Sequence, residues 1–122
     1  MPARSHTCTF CSEDVKDRIL MKQETVYVIE DLYPVTQGHL LIVPFYHTLD
    51  YYTMTAEEHR DAERLLTILK EQIMHHDPTV SGFDIGINCG ESVGKSFEHA
   101  HIHLIPRREG IELFTKPFSY LR

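Results

Sequence analysis

A chain of 122 residues has room for one domain with a workable core and little surplus. Its formal net charge of -6 excludes nucleic acid or an anionic membrane surface as the main partner, because both demand a basic footprint. With 42% hydrophobic and 25% charged residues the composition is that of a soluble globular protein, and no apolar run approaches the length of a membrane span.

The first residues are polar and show no secretory hydrophobic stretch, so the expected compartment is cytoplasmic, with reduced thiols. In that setting Cys8-Thr9-Phe10-Cys11 reads as a metal half-site or a redox pair rather than a disulfide. A short strand is expected near Ile19 to Lys22. Glu24 to Asp31 alternates and is β-branched, which predicts a strand. Asp31 to Gly38 contains Pro34 and Gly38, the chemistry of a turn. His39 to Val43 is apolar enough for a buried strand that Pro44 stops, and the two runs predict an antiparallel pair.

Thr55-Ala56-Glu57-Glu58 is a capping-box pattern, and Ala62, Leu65, Leu66, Leu69 and Ile73 follow at helical spacing on one face. Asp77-Pro78 ends that helix. His59 falls on its polar side and is expected in solvent, His75 and His76 suit its C-terminal dipole, and Met54 and Met74 are expected to pack. Phe83 to Asn88 predicts a strand, 90 to 94 a glycine-bounded loop holding Cys89 at its edge, and Phe97 to Pro106 a last alternating strand. Arg107 and Arg108 are expected at its exposed end. The class is α+β with a mainly antiparallel sheet.

On such a strand His99, His101 and His103 share one face, each about 7 Å from the next, while Ala100, Ile102 and Leu104 face a core. Spacing alone weighs a transition-metal site and a catalytic surface about equally, with solvated surface histidines below both. Gly90 to Ser96 imitates a phosphate-binding P-loop. Three residues separate its glycines where four are needed, and a strand follows where a helix is required, so that reading is rejected.

The segment Gly90-Glu-Ser-Val-Gly94-Lys-Ser96-Phe-Glu-His99-Ala-His101-Ile-His103-Leu-Ile-Pro-Arg107 resembles the signature of the histidine triad (HIT) family. Glu30-Asp31-Leu-Tyr-Pro34, Gly38-His39-Leu-Leu-Ile-Val-Pro44 and His47 fit upstream, so the likeness runs from about Cys8 to Arg107. The resemblance implies one domain over residues 1–122, with 1–18 as a zinc-binding N-terminal segment and 109–122 as a C-terminal tail. It implies a HIT-like fold: a mainly antiparallel five-stranded sheet with one long helix and a short one. It also implies a homodimer whose sheets join across the interface.

For the reaction, the resemblance implies hydrolysis or transfer at a nucleotide α-phosphate. His101 would be the nucleophile, held through a backbone carbonyl, and would form a nucleotidyl-histidine. His103 and Ser96 match positions that contact phosphate, Asn88 one near the leaving group, Asp31 a ribose-binding carboxylate, His39 a supporting histidine and Leu32 an apolar contact to the base. Candidate substrates are dinucleoside polyphosphates and nucleoside phosphoramidates, adenosine favoured over guanosine. Lys95 departs from the family's usual glutamine. A charge-neutralising catalytic role and a solvated loop position weigh equally there. Cys8 and Cys11 can chelate one structural zinc, and the resemblance implies His47 and His99 as its other ligands. Two rival classes stay open: a non-catalytic nucleotide-binding or scaffold protein, and a metal-dependent enzyme using the histidine ladder as ligands.

Overall fold

Continuous apolar runs build the central strands of the sheet, and a 3.6-residue apolar stripe builds the long helix that covers one of its faces. The computed structural model describes residues 8–89 and 99–109. Its strands are β1 (Met21–Lys22), β2 (Val26–Glu30), β3 (Leu40–Pro44), β4 (Val80–Gly86) and β5 (Ile102–Arg108), and its helix is α1 (Ala56–His76). They form one five-stranded sheet in the order β1-β2-β3-β5-β4, each pairing antiparallel. Short 3₁₀ turns at Thr9–Cys11, Glu13–Arg18 and Tyr51–Thr53 complete the described elements. No helix among these residues is long and apolar enough to cross a membrane.

The sheet is covered on both faces, which is why β2 and β3 are buried along nearly their whole length. On one face Val26, Val28, Leu40, Ile42, Ile102 and Leu104 pack against Ala62, Leu65 and Leu69 of α1. On the other, Tyr27, Ile29, Leu41 and Val43 lie under Phe10 and Val15 of the N-terminal turns. Alternation then dictates where β5 puts its side chains: Ile102 and Leu104 face α1, and His103 shares the opposite face with its pairing partner Leu41. The capping box forms as expected. Thr55 Oγ1 accepts from the Glu58 amide at 3.1 Å, and Glu58 Oε1 accepts from the Thr55 amide at 2.7 Å. Gly38 carries the turn before β3 with φ +89°, a backbone state that side chains disfavour.

Two strand boundaries differ from expectation. The last strand begins at Ile102, not Phe97; of the earlier residues, Phe97 and Glu98 lie outside the described set. The Ala100 amide donates to Thr48 O at 2.7 Å instead of to a neighbouring strand, so ladder pairing starts only where Ile102 meets Ile42. The histidine ladder is therefore not a run on one strand: His103 lies in β5, while His99 and His101 precede it. The preceding strand runs over Val80–Gly86 rather than Phe83–Asn88. Pairing ends where Gly86 meets His103, and Gly82 and Ser81 hid the strand's start from an apolar pattern.

The cap and the core can be tested separately by urea denaturation. Thr55→Ala is expected to lower stability by about 1 kcal/mol, and Leu65→Ala, fully buried under the sheet, by about 3 kcal/mol.

Candidate active site and metal cluster

The turn from Asp31 to Gly38 and the start of β3 deliver His39 beside His103. The Val35 amide donates to His39 Nδ1 at 3.0 Å, so the neutral ring carries its hydrogen on Nε2. That Nε2–H donates to His103 Nδ1 at 2.9 Å, which leaves the hydrogen of His103 on Nε2. Burial pushes the pKa of His39 down, against the pull of the Asp31 carboxylate and with help from Arg107, and so favours the neutral ring this relay needs. Asp31 Oδ2 stands 3.4 Å from His39 Nε2 and 3.8 Å from His103 Nδ1, while its Oδ1 accepts from the Tyr33 amide at 2.8 Å.

His101 is buried next to this pair, its ring centroid 5.1 Å from that of His103. Its Nδ1–H donates to the main-chain carbonyl of His99 at 2.9 Å, so the neutral form of the ring carries its lone pair on Nε2. A buried imidazole held this way presents, in its neutral form, a defined lone pair suited to nucleophilic attack, and a neighbouring N–H on His103 is suited to bind developing negative charge.

The His99 ring serves a different purpose. Its Nδ1 lies 3.2 Å from Cys8 Sγ and 3.5 Å from Cys11 Sγ, and His47 Nδ1 lies 3.5 Å from Cys11 Sγ. All four ligand atoms of Cys8, Cys11, His47 and His99 lie within 4.8 Å of one another. A zinc ion bonding sulfur at about 2.3 Å and nitrogen at about 2.0–2.1 Å would separate its sulfur and nitrogen ligands by about 3.6 Å, so the donor set fits tetrahedral zinc. His99 Nε2–H donates to Pro44 O at 2.8 Å, the outer contact that leaves Nδ1 for a metal. The three histidines thus turn to three settings, namely the thiols, the His99 carbonyl and His39. A single metal bound by all three does not fit this arrangement.

The HIT domain family matches residues 12–110. The chain belongs to the HIT family. It is 29% identical over 114 residues to the AP-4-A phosphorylase of Mycobacterium tuberculosis, covering 89% of this chain and 56% of that protein. It is 29% identical over 94 residues to the bis(5'-adenosyl)-triphosphatase of Saccharomyces cerevisiae, covering 76% of this chain and 45% of the relative. This HIT chain therefore spans about half the length of these curated relatives. A crystal structure of a Zn-bound histidine triad family protein from Mycobacterium smegmatis aligns with TM-score 0.77 and 27% identity, over 91% of this chain and 83% of that one.

Other expected site residues of this HIT protein fall as follows. Leu32 is 63% exposed on the rim of a cleft of about 470 Å³, which runs from Asp17, Arg18 and Leu20 to Glu30, Asp31 and Pro34. Asn88 is half-buried just past β4, and Lys95 and Ser96 lie outside the described residues. Three bland expectations need correction. His59 is half-buried with its ring 4.3 Å from that of Tyr51, not solvated, and Met74 is 40% exposed rather than packed. Arg107 and Arg108 do not simply trail into solvent, because they pair with Asp84 at 2.8 Å and Asp77 at 3.0 Å. Sequence reasoning missed Phe10, whose ring meets His99 and His101, and the Val35 amide. The position of Phe10 between the two cysteines was the available signal; a backbone donor leaves none.

His39 makes stability depend on pH in a defined direction. Its folded pKa is depressed, so the unfolded chain binds more protons, and the contribution is lost as pH falls through the unfolded value of about 6.5. A His39→Gln variant is expected to show a shallower loss of stability between about pH 7 and pH 5, measured by urea unfolding at each pH.

Proposed function

We propose that this HIT protein cleaves dinucleoside polyphosphates at the α-phosphate, as a hydrolase or nucleotidyltransferase, through a nucleotidyl-histidine on His101. The observation that carries the reading is the His101 Nδ1–H donated to the His99 carbonyl, which presents the lone pair on Nε2. In the first step Nε2 bonds to the α-phosphorus, and the bond from phosphorus to the bridging oxygen breaks with its electron pair going to the leaving nucleotide. The positive charge that develops on the ring is stabilised at Nδ1–H by the same carbonyl. His103 Nε2–H would donate to a phosphate oxygen as negative charge accumulates there. In the second step water or another acceptor attacks phosphorus, the phosphorus–Nε2 bond breaks with its electron pair returning to the ring, the acceptor's proton passes to solvent, and the neutral imidazole is restored. The names of the mycobacterial and yeast relatives support a dinucleoside polyphosphate and an adenosine base. Nucleoside phosphoramidates offer the same α-phosphate and are the second substrate class to test.

Asp31 would accept ribose hydroxyls at the mouth of the cleft, with Leu32 against the base, Asn88 near the leaving group and Ser96 on phosphate. Lys95 would neutralise the departing phosphate. Cys8, Cys11, His47 and His99 would hold a structural Zn2+, a reading supported by the donor spacing and by the Zn-bound neighbour. A homodimer is supported by β4, an edge strand of the sheet among the described elements, on which Ile85 is 58% exposed. Thiol ligands of this kind suit a reducing cytoplasmic compartment.

Intact-protein mass spectrometry after brief incubation with a diadenosine polyphosphate tests the reaction. Wild type is expected to gain one acid-labile nucleotide and His101→Ala none, while His103→Ala slows turnover about a hundredfold. Turnover that survives His101→Ala would refute the mechanism. Metal analysis is expected to find one zinc per wild-type chain and a deficit in Cys11→Ser. Chelation should lower stability by about 3 kcal/mol where free zinc stood a hundredfold above its dissociation constant.

A further inference from the structure

The Cys8–Cys11 knuckle reaches the nucleophile at two separate points. The first is the main chain of His99, whose ring approaches both thiols and whose carbonyl accepts the His101 Nδ1–H. The second is Phe10, which lies between the two cysteines. Its buried ring stands edge-on to His99 at 5.6 Å and to His101 at 5.4 Å between centroids. Phe10 is itself anchored, since its carbonyl accepts the hydroxyl of Tyr27, on β2, at 2.7 Å.

We infer that the knuckle, loaded with zinc, is the positioning element of the active site, with Phe10 and His99 as positioning residues that set the tautomer and ring plane of His101. This rests on the function proposed above. An imidazole that must attack through Nε2 needs its hydrogen kept on Nδ1 and its plane kept in line with phosphorus. The His99 carbonyl supplies the first condition and the edge of Phe10 the second. Neither group belongs to the set proposed above to contact the nucleotide. The carbonyl shares its peptide plane with the Ala100 amide, which Thr48 O holds at 2.7 Å, and the His99 ring is held at Nε2 by Pro44 O and at Nδ1 by the metal the thiols would share. Without the metal the Nδ1 anchor of these three is loosened, and Phe10 loses the chelate that pins the residues on either side of it. Occupancy of the cluster should therefore govern the chemical step and leave nucleotide binding alone.

Nitrogen-15 NMR of histidine-labelled protein reads this directly and needs no substrate. In the zinc-loaded protein His101 is expected to show one tautomer, with the hydrogen on Nδ1. After chelation its signals should move toward the average of two tautomers, kcat should fall roughly tenfold or more at unchanged KM, and re-added zinc should restore both. Phe10→Leu supplies the second arm, since it keeps the cysteines: zinc stoichiometry is expected to match wild type while kcat falls roughly tenfold at unchanged KM. The inference is overturned if metal-free protein with an intact circular dichroism spectrum keeps a single His101 tautomer and full kcat. It is also overturned if zinc-loaded Phe10→Leu turns over like wild type, and that arm decides alone should the metal-free chain unfold. A wild-type protein that forms no nucleotidyl adduct would instead remove the proposed reaction, while the NMR result would still judge the coupling.

Discussion

The pairing of β3 with β5 is the constraint on which everything else depends. These strands are separated in sequence by α1 and β4, yet Leu40, Leu41 and Ile42 align with Leu104, His103 and Ile102. A slip of one residue would turn His103 toward α1 and bury it among valines and leucines without a partner. In the observed register His103 meets His39 on the face away from the helix, and the apolar residues on either side of it complete the core. Folding energy and site geometry are thus set by one alignment.

Around that alignment the three histidines divide their work by the backbone each occupies. His103 is held in the sheet and inherits the rigidity of its neighbours. His99 and His101 lie where the chain has left the ladder, so their main-chain groups can serve the site: the Ala100 amide meets Thr48, and the His99 carbonyl meets the His101 ring. A continuous strand would have committed that carbonyl to sheet pairing or turned it from the ring. The broken strand is the reason the first histidine can support the second.

The fold was largely legible because it is written in period and in capping. The α1 boundaries follow from Thr55, Glu58 and Asp77-Pro78, and the buried faces of β2 and β3 from their valines, leucines and isoleucines. Cys8 and Cys11 were legible from their spacing as a metal half-site, but His47 and His99 only through likeness to the HIT family, since ligands up to 91 residues apart leave no local pattern. Alternation overran the start of β5 because it reports side-chain polarity and is blind to where a main-chain amide finds its acceptor. The hydrogen-bond order Val35 to His39 to His103 was hidden for the same reason. Arg107 and Arg108 read as exposed because their carboxylate partners, Asp84 and Asp77, come from an adjacent strand and a helix end.

The distances in sequence have a consequence for how the protein comes into being. His99 meets thiols 88 and 91 residues earlier in the chain, and His103 meets a ring 64 residues earlier. Closing such loops costs entropy before any contact repays it, so these joins belong to the late part of folding. During synthesis β1 to β3 and α1 emerge first and can begin to pack, but the helix-side core lacks Ile102 and Leu104, and the opposite face lacks its histidines, until the segment from His99 through β5 arrives. Cys8, Cys11 and His39 therefore meet their histidine partners only after those residues have been made. The cluster of histidines and thiols cannot assemble until the sheet is closed, so completing the core and gathering these side chains are one event.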